Sequence, residues 1–378
     1  MAIFAHPRLG HLLLVILSTV LTFLFLEIGL RLFAPQYGNY VQPDDVIEYS
    51  FVPGAHYVFL PNEDCPGWGS SGRINSHGLR DREYDYSKPP GTFRILALGD
   101  SYTESLQFDL EKTWPKLLER RLNEQSGRFK YEVINAGRSA MGTGTEYLYY
   151  LNKGRHYDPD LVLLLFVPND LKDNSREFNR RLQPYFFLAG GKLLLDATFT
   201  EAWPYRLRKW IHPVKVFHLV SFATQAYNRI KAQLQGTAQT KNAPSAVVTS
   251  SNQTAVEITQ RLLLALSQAV TERRARFAIV IGTANYEVNW TDTQAPQKNH
   301  DSLTSNADQI VASFAQRERF PYLNLEPVLR AYSSMHRVLI HGCEKNGGGG
   351  HWSQAGHAVA AHQIYDFLVN QSLVPVTE

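Results

Sequence analysis

The first apolar run, Leu12 to Leu26, carries no charge, and the pattern continues to Phe33 with only Glu27 and Arg31 interrupting it. That length suits a bilayer-spanning helix, which needs about 20 residues, better than a signal-peptide core of roughly 7–15. Glu27 and Arg31 stand one helical turn apart and can pair. No small-residue cleavage site precedes Pro35 and no lipobox cysteine follows. Residues 1–34 therefore read as an uncleaved signal-anchor, the alternative being a cleaved signal peptide. Arg8 on the short side predicts a cytoplasmic amino terminus, with the rest of the chain outside the inner membrane in a periplasmic space.

Residues 35–92, rich in Pro, Gly, Tyr and Asp, predict a loop-rich segment without long helices. Asn75, His77 and Arg80 could line a substrate mouth or belong to an ordered loop packed over a sheet edge. From Phe93 onward, short apolar runs alternate with helical periodicity. Strands are expected near 94–98, 132–136, 161–167, 277–282 and 322–325. Trp114, Leu117, Leu118 and Leu122 mark a helix after the first strand; Val359, Ala360, Ile364, Phe367 and Leu368 mark the last one. This alternation predicts an α/β fold, a three-layer α/β/α sandwich whose five parallel strands follow a flavodoxin-like order, occupying 93–374. An insertion at about 176–275 separates the third and fourth strands. It begins with a hairpin over 184–195 turning at Gly190-Gly191, passes an amphipathic stretch at 204–233, and crosses a Ser/Thr/Gln/Ala-rich run at 235–254 expected to lack order. A helix at 255–275 leads back to the sheet.

Candidate chemistry sits where this pattern changes. Gly99-Asp100-Ser101 ends the first strand and precedes a helix, so Ser101 lies near the positive end of a helix dipole. Asn135-Ala-Gly137-Arg-Ser-Ala140-Met-Gly142 follows the second strand, Pro168-Asn169-Asp170 the third, and Gly350-His351-Trp352 precedes the last helix. Residues beyond the carboxyl ends of strands in a doubly wound sheet converge on one crevice. A nucleophile, oxyanion donors and a base are the parts of acyl transfer. The Gly-x-Ser-x-Gly elbow of the larger α/β hydrolases is absent around Ser101.

In this order the four segments resemble the SGNH (GDSL-type) hydrolase superfamily, and the segment Asn75 to Asp81 with the apolar amino terminus resembles its membrane-anchored bacterial members. The resemblance covers roughly 93–175 and 275–370. It implies the SGNH hydrolase fold, Ser101 as nucleophile and His351 as base. It also implies an oxyanion hole made by the Ser101 backbone N–H, a backbone N–H among Gly137, Ala140 and Gly142, and the Asn169 amide. Three positions depart from the family pattern. Ala140 stands where a glycine is usual, and Val167-Pro168 replaces the glycine that usually precedes Asn169. Gly348 and Gly349 occupy the places of the customary aspartate before the histidine. Glu344 could fold back as the acid, or backbone carbonyls could orient His351 in a dyad. His357 is the competing histidine, expected to pack.

Composition adds limits. The 378 residues are 44% hydrophobic with a formal charge of +3. No dense basic run is interleaved with aromatics, so nucleic acid is not an expected partner. The 13 histidines and two cysteines form no metal-ligand spacing, and no metal or cofactor is expected. An oxidising compartment would let Cys65 and Cys343 pair; otherwise they are separate thiols. The expected function is a monomeric serine esterase cleaving O-acyl esters, O-acetyl above all, on carbohydrate or another ester substrate. Two other readings stand beside it: an O-acyltransferase modifying cell-envelope polysaccharide, and an inactive module that holds a glycan or acyl chain.

Overall fold

A computed structural model describes residues 7–33, 40–61, 65–235, 248–283, 288–290, 303–343 and 350–375. Eleven strands and eleven α-helices are named here in chain order. The long apolar helix α1 (Pro7–Phe33) is followed by two antiparallel hairpins, β1 (Val41–Asp44) with β2 (Glu48–Phe51), and β3 (His56–Phe59) with β4 (Ser70–Arg73). The main sheet contains β5 (Thr92–Gly99), β6 (Lys130–Asn135), β7 (Leu161–Phe166), β10 (Arg276–Ile281) and β11 (Tyr322–Asn324). All five strands are parallel, ordered β6-β5-β7-β10-β11, which is the flavodoxin-like order expected. The chain reverses direction of travel across the sheet between β5 and β7, so the crevice opens beyond their carboxyl ends.

Both faces of this sheet are covered, which is why its central strands are apolar without interruption. Side chains alternate between two cores. Leu96, Leu98, Ile134, Val162, Leu164, Ile279 and Ile281 point toward α4 (Thr143–Asn152), α8 (Val248–Thr271) and α9 (Ala307–Glu318). Ile95, Ala97, Val133, Leu163, Leu165 and Val280 point toward α3 (Trp114–Glu124), α10 (Glu326–His336) and α11 (Gln354–Asn370). Helix α8 belongs to the first of these layers, because Leu262, Leu263, Leu266 and Val270 are buried against the sheet. The interval read from sequence as an insertion thus ends in a core helix. Residues 248–254, expected to lack order, form its first turns, while 236–247 lie outside the described residues.

The remaining elements border the crevice. Two one-turn helices, α2 (Ser101–Glu104) and α5 (Asp170–Asp173), cap the ends of β5 and β7. The hairpin β8 (Tyr185–Ala189) with β9 (Lys192–Asp196) turns at Gly190-Gly191, both left-handed at φ +56° and +74°. That turn suits the right-handed twist of a two-residue hairpin. The amphipathic stretch is split into α6 (Trp203–Ile211), a 3-10 turn over 212–216, and α7 (His218–Gln235). Cys65 and Cys343 are disulfide-bonded, tying the segment before the sheet to the loop before His351.

Candidate active site

Ser101 begins α2, whose N-cap is Asp100; the Asp100 carboxylate accepts a hydrogen bond from Tyr102 N at 2.9 Å. The Ser101 backbone N–H makes no hydrogen bond among the described residues. Ser101 Oγ lies 2.7 Å from His351 Nε2. With Ser101 as donor, Nε2 is the unprotonated nitrogen of a neutral ring, the state a general base requires. Burial without a nearby counter-charge holds the His351 pKa below its ordinary 6.5, which favours that neutral state.

His351 is positioned by backbone pairing and packing. Its carbonyl accepts from Gly342 N at 2.8 Å, and Ser353 N donates to Ile340 O at 2.7 Å. Residues 340–343 thereby flank 351–353, with the Cys65–Cys343 bond at one end. Gly350 O accepts from the Tyr102 hydroxyl at 3.2 Å and from His341 Nδ1 at 2.7 Å. The Tyr102 ring also lies 5.0 Å from the His351 ring, centroid to centroid. Among the described residues no carboxylate bonds the other ring nitrogen. Glu344, named from sequence as the acid, lies outside the described residues, as do Gly348 and Gly349. His357 is buried against Phe108 and Trp352, in the packing role expected of it.

The loop after β6 is clamped to α2. Asn135 Nδ2 donates to Thr103 O at 2.8 Å, and Asn135 Oδ1 accepts from Gly137 N at 3.0 Å. Gly137 presses so closely on α2 that a Cβ there would sit 2.4 Å from Glu104 N, so only glycine fits. Its N–H is already used by Asn135, which removes it from the candidate oxyanion donors named from sequence. Glu104 Oε2 accepts from Ser139 N at 2.6 Å and from the Ser139 hydroxyl. Beyond this clamp Ala140 is left-handed, at φ +59°. The glycine usual at this place would adopt that conformation freely, whereas for alanine it costs on the order of 1–2 kcal/mol. Ala140 and Gly142 nonetheless keep backbone N–H groups with no partner among the described residues.

Asn169 projects from the start of α5. Its Nδ2 donates to Asp100 Oδ2 at 3.0 Å and to Asp173 Oδ2 at 3.1 Å. Asp100 is pushed up to about 7 by burial, while the bonds from Tyr102 N and Asn169 pull it down. Burial raises Asp173 as well. Two carboxyl groups thus orient one amide; the Asp173 contact spans one helical turn, while the Asp100 contact, 69 residues away, is invisible in sequence. Asn75, His77 and Arg80 serve local structure. Asn75 closes a turn with Leu79 N, and His77 stacks on Tyr86. Arg80 is buried, donating to Glu104 O at 2.7 Å and to Phe108 O. Arg80 and Glu104 brace α2 and the loop after β6, contacts that the sequence reading did not single out. Glu104 could have been found as a charged residue one turn after Ser101.

The GDSL-like lipase/acylhydrolase family model matches residues 97–359. No curated protein matches the chain significantly. Solved structures with a similar course include the acetyl xylan esterase AlAXEase (13% identity, TM-score 0.42, covering 72% of this chain and 98% of that one). The lipase/acylhydrolase from Enterococcus faecalis is similar at 11% identity and TM-score 0.42, covering 76% and 100%. A catalytic mutant of Axe2, an acetylxylan esterase from Geobacillus stearothermophilus, is similar at 11% identity and TM-score 0.40, covering 74% and 95%. The chain belongs to the GDSL-like lipase/acylhydrolase family.

Proposed function

We propose that this family member, an ester hydrolase, works through an acyl-enzyme on Ser101 and removes O-acyl groups, chiefly O-acetyl, from carbohydrate. The observation that carries the reading is the 2.7 Å contact between Ser101 Oγ and His351 Nε2 at the start of a helix. His351 takes the hydroxyl proton as Oγ attacks the ester carbonyl, and the carbonyl electron pair moves to oxygen. The tetrahedral oxyanion is received by the N–H groups of Ser101 and of Ala140 or Gly142, with the Asn169 amide as third donor once one Nδ2–H turns from Asp100 or Asp173 to the oxyanion. Each such donor is worth about 3–4 kcal/mol of barrier. Collapse expels the sugar alkoxide, which takes the proton from His351. Water then attacks the acyl-enzyme by the same route in reverse, freeing the acid and Ser101. His351 works as a dyad base held by backbone pairing, or with Glu344 as its acid.

Helix α1 contains one segment, Gly10–Phe33, long and apolar enough to cross a membrane. We read it as a single-pass anchor in the inner membrane, with the catalytic domain on the periplasmic side. A tethered enzyme in that compartment meets envelope polysaccharide more readily than cytosolic metabolites, which supports the carbohydrate ester. The purified full chain, given an acetyl donor with and without an envelope oligosaccharide, tests the reading. Acetate release that persists at saturating acceptor is expected. Accumulation of acetylated oligosaccharide would make the protein a transferase, because transfer and hydrolysis share the acyl-enzyme and differ in the nucleophile that attacks it.

A further inference from the structure

Helix α6 presents a large apolar surface that the catalytic body does not use. One side of it is fixed to the β1–β2 hairpin. Buried Tyr205 donates its hydroxyl to Asp45 at 2.8 Å, Lys209 pairs with Asp45 at 2.5 Å, and Arg208 lies 3.5 Å from Glu48. The other side carries Trp203, Arg206, Leu207 and Trp210, spaced three and four residues apart so that they share a face. Both indoles are open, Trp203 at 71% and Trp210 at 79% exposure. They border an open groove of about 980 Å³. Two exposed indoles on a helix this firmly anchored mark an interaction surface.

The chain beyond α6 touches α1 directly. Phe217 meets Phe23 edge-on, with ring centroids 5.4 Å apart. Glu27 accepts the first backbone N–H groups of α7, from His218 N at 2.9 Å and Leu219 N at 3.0 Å. Arg31 Nε closes on the same carboxylate at 2.7 Å. At a rise of about 1.5 Å per residue, Glu27 lies roughly 9 Å along the axis from Phe33. The start of α7 is therefore held well inside the outer end of the apolar helix. At such a depth a carboxylate and free helix amides satisfy one another, as a lipid environment demands. Exposed Val214, Phe217 and Phe222 carry the apolar surface from Trp210 to α1.

We propose that α6 and the turn leading to α7 lie in the interfacial layer of the same bilayer that α1 crosses. Trp203 and Trp210 sit at the headgroup–acyl boundary, the level that indole rings favour. Exposed Arg206 faces lipid phosphate, whose geometry its guanidinium fits. The proposal rests on the reading of α1 as a membrane span. It adds that the body is docked on the lipid by a second contact rather than swinging on a tether.

The test uses the full chain reconstituted in phosphatidylcholine vesicles brominated either near the headgroup or deep in the acyl chain. Bromine quenches tryptophan emission at short range. Wild type is compared with a Trp203→Phe/Trp210→Phe variant, which keeps the apolar surface. A third protein adds Phe25→Trp to that variant and reports on α1. Shallow brominated lipid should quench wild type, with that quenching lost in the double variant, and deep brominated lipid should quench the Phe25→Trp protein. If the Phe25→Trp protein is quenched while wild type matches the double variant, α6 faces water; the docking proposal falls and the anchor stands. If neither is quenched, both fall. If Trp203 and Trp210 respond to a soluble p-nitrophenyl ester and not to brominated lipid, the groove is a substrate site and the proposal is overturned.

Discussion

Ser101 and His351 are 250 residues apart in the chain, yet Oγ and Nε2 meet at 2.7 Å, and no described carboxylate engages the second nitrogen of the imidazole. Desolvation without a counter-charge disfavours the imidazolium, so the His351 pKa is held below 6.5. The base is active when neutral, so activity appears as pH rises through that lowered pKa. The acid limb of kcat/KM should therefore lie below pH 6.5. Asp100, pushed up to about 7, titrates nearby, and Asp100→Asn removes that second ionisation while keeping a good N-cap. A limb at or above pH 7 that persists in Asp100→Asn would mean that a carboxylate supports the imidazolium after all.

Asn169→Ala should lower kcat by a factor on the order of 10² to 10³ with little change in KM, since an oxyanion donor acts mainly in the transition state. Steady-state kinetics on a p-nitrophenyl ester, with a thermal melt to confirm folding, decide this. An unchanged kcat would mean that Asp100 and Asp173 keep the amide for structure alone.

Glu104 holds Ser139 beside Ala140, so it positions the loop whose N–H groups are the proposed oxyanion donors. Glu104→Gln keeps one acceptor oxygen and should lower kcat about tenfold while leaving KM near wild type. Equal kcat in the variant would show that the Gly137 packing and the Asn135 bonds set the loop unaided.

How far the sequence went follows from what local pattern encodes. Strands β5, β7 and β10 were legible because burial on both faces demands unbroken apolar runs, and their neighbours on the sheet follow from the alternation with helices. Ser101, Asn169 and His351 were legible as polar residues placed where a strand ends or a helix begins. The partners of Glu104 and Arg80, and the link from Asp100 to Asn169, were not, because they join segments that no spacing rule connects. The left-handed conformation of Ala140 was not legible either, because alanine's own preference is for negative φ. Helix α8 was cut short because the Ser, Thr, Asn and Gln residues of its first turns resemble a linker in composition.

The Cys65–Cys343 bond fixes the segment that pairs with His351, so removing it should affect both stability and rate. Cys65→Ser/Cys343→Ser should lose about 2–4 kcal/mol of unfolding free energy. Its kcat should fall further than its KM rises, because the displaced group is the base. Full activity in the double variant would show that the 340–343 and 351–353 pairing holds His351 by itself.

The central claim is that Ser101 is the nucleophile, and covalent labelling reads it most directly. A serine-reactive fluorophosphonate should add one phosphonyl group to the full chain, and peptide mass spectrometry should locate it on Ser101. Ser101→Ala should abolish the adduct, and His351→Ala should nearly do so. An adduct of undiminished yield in Ser101→Ala, or one located on another serine of the wild-type chain, would contradict the account.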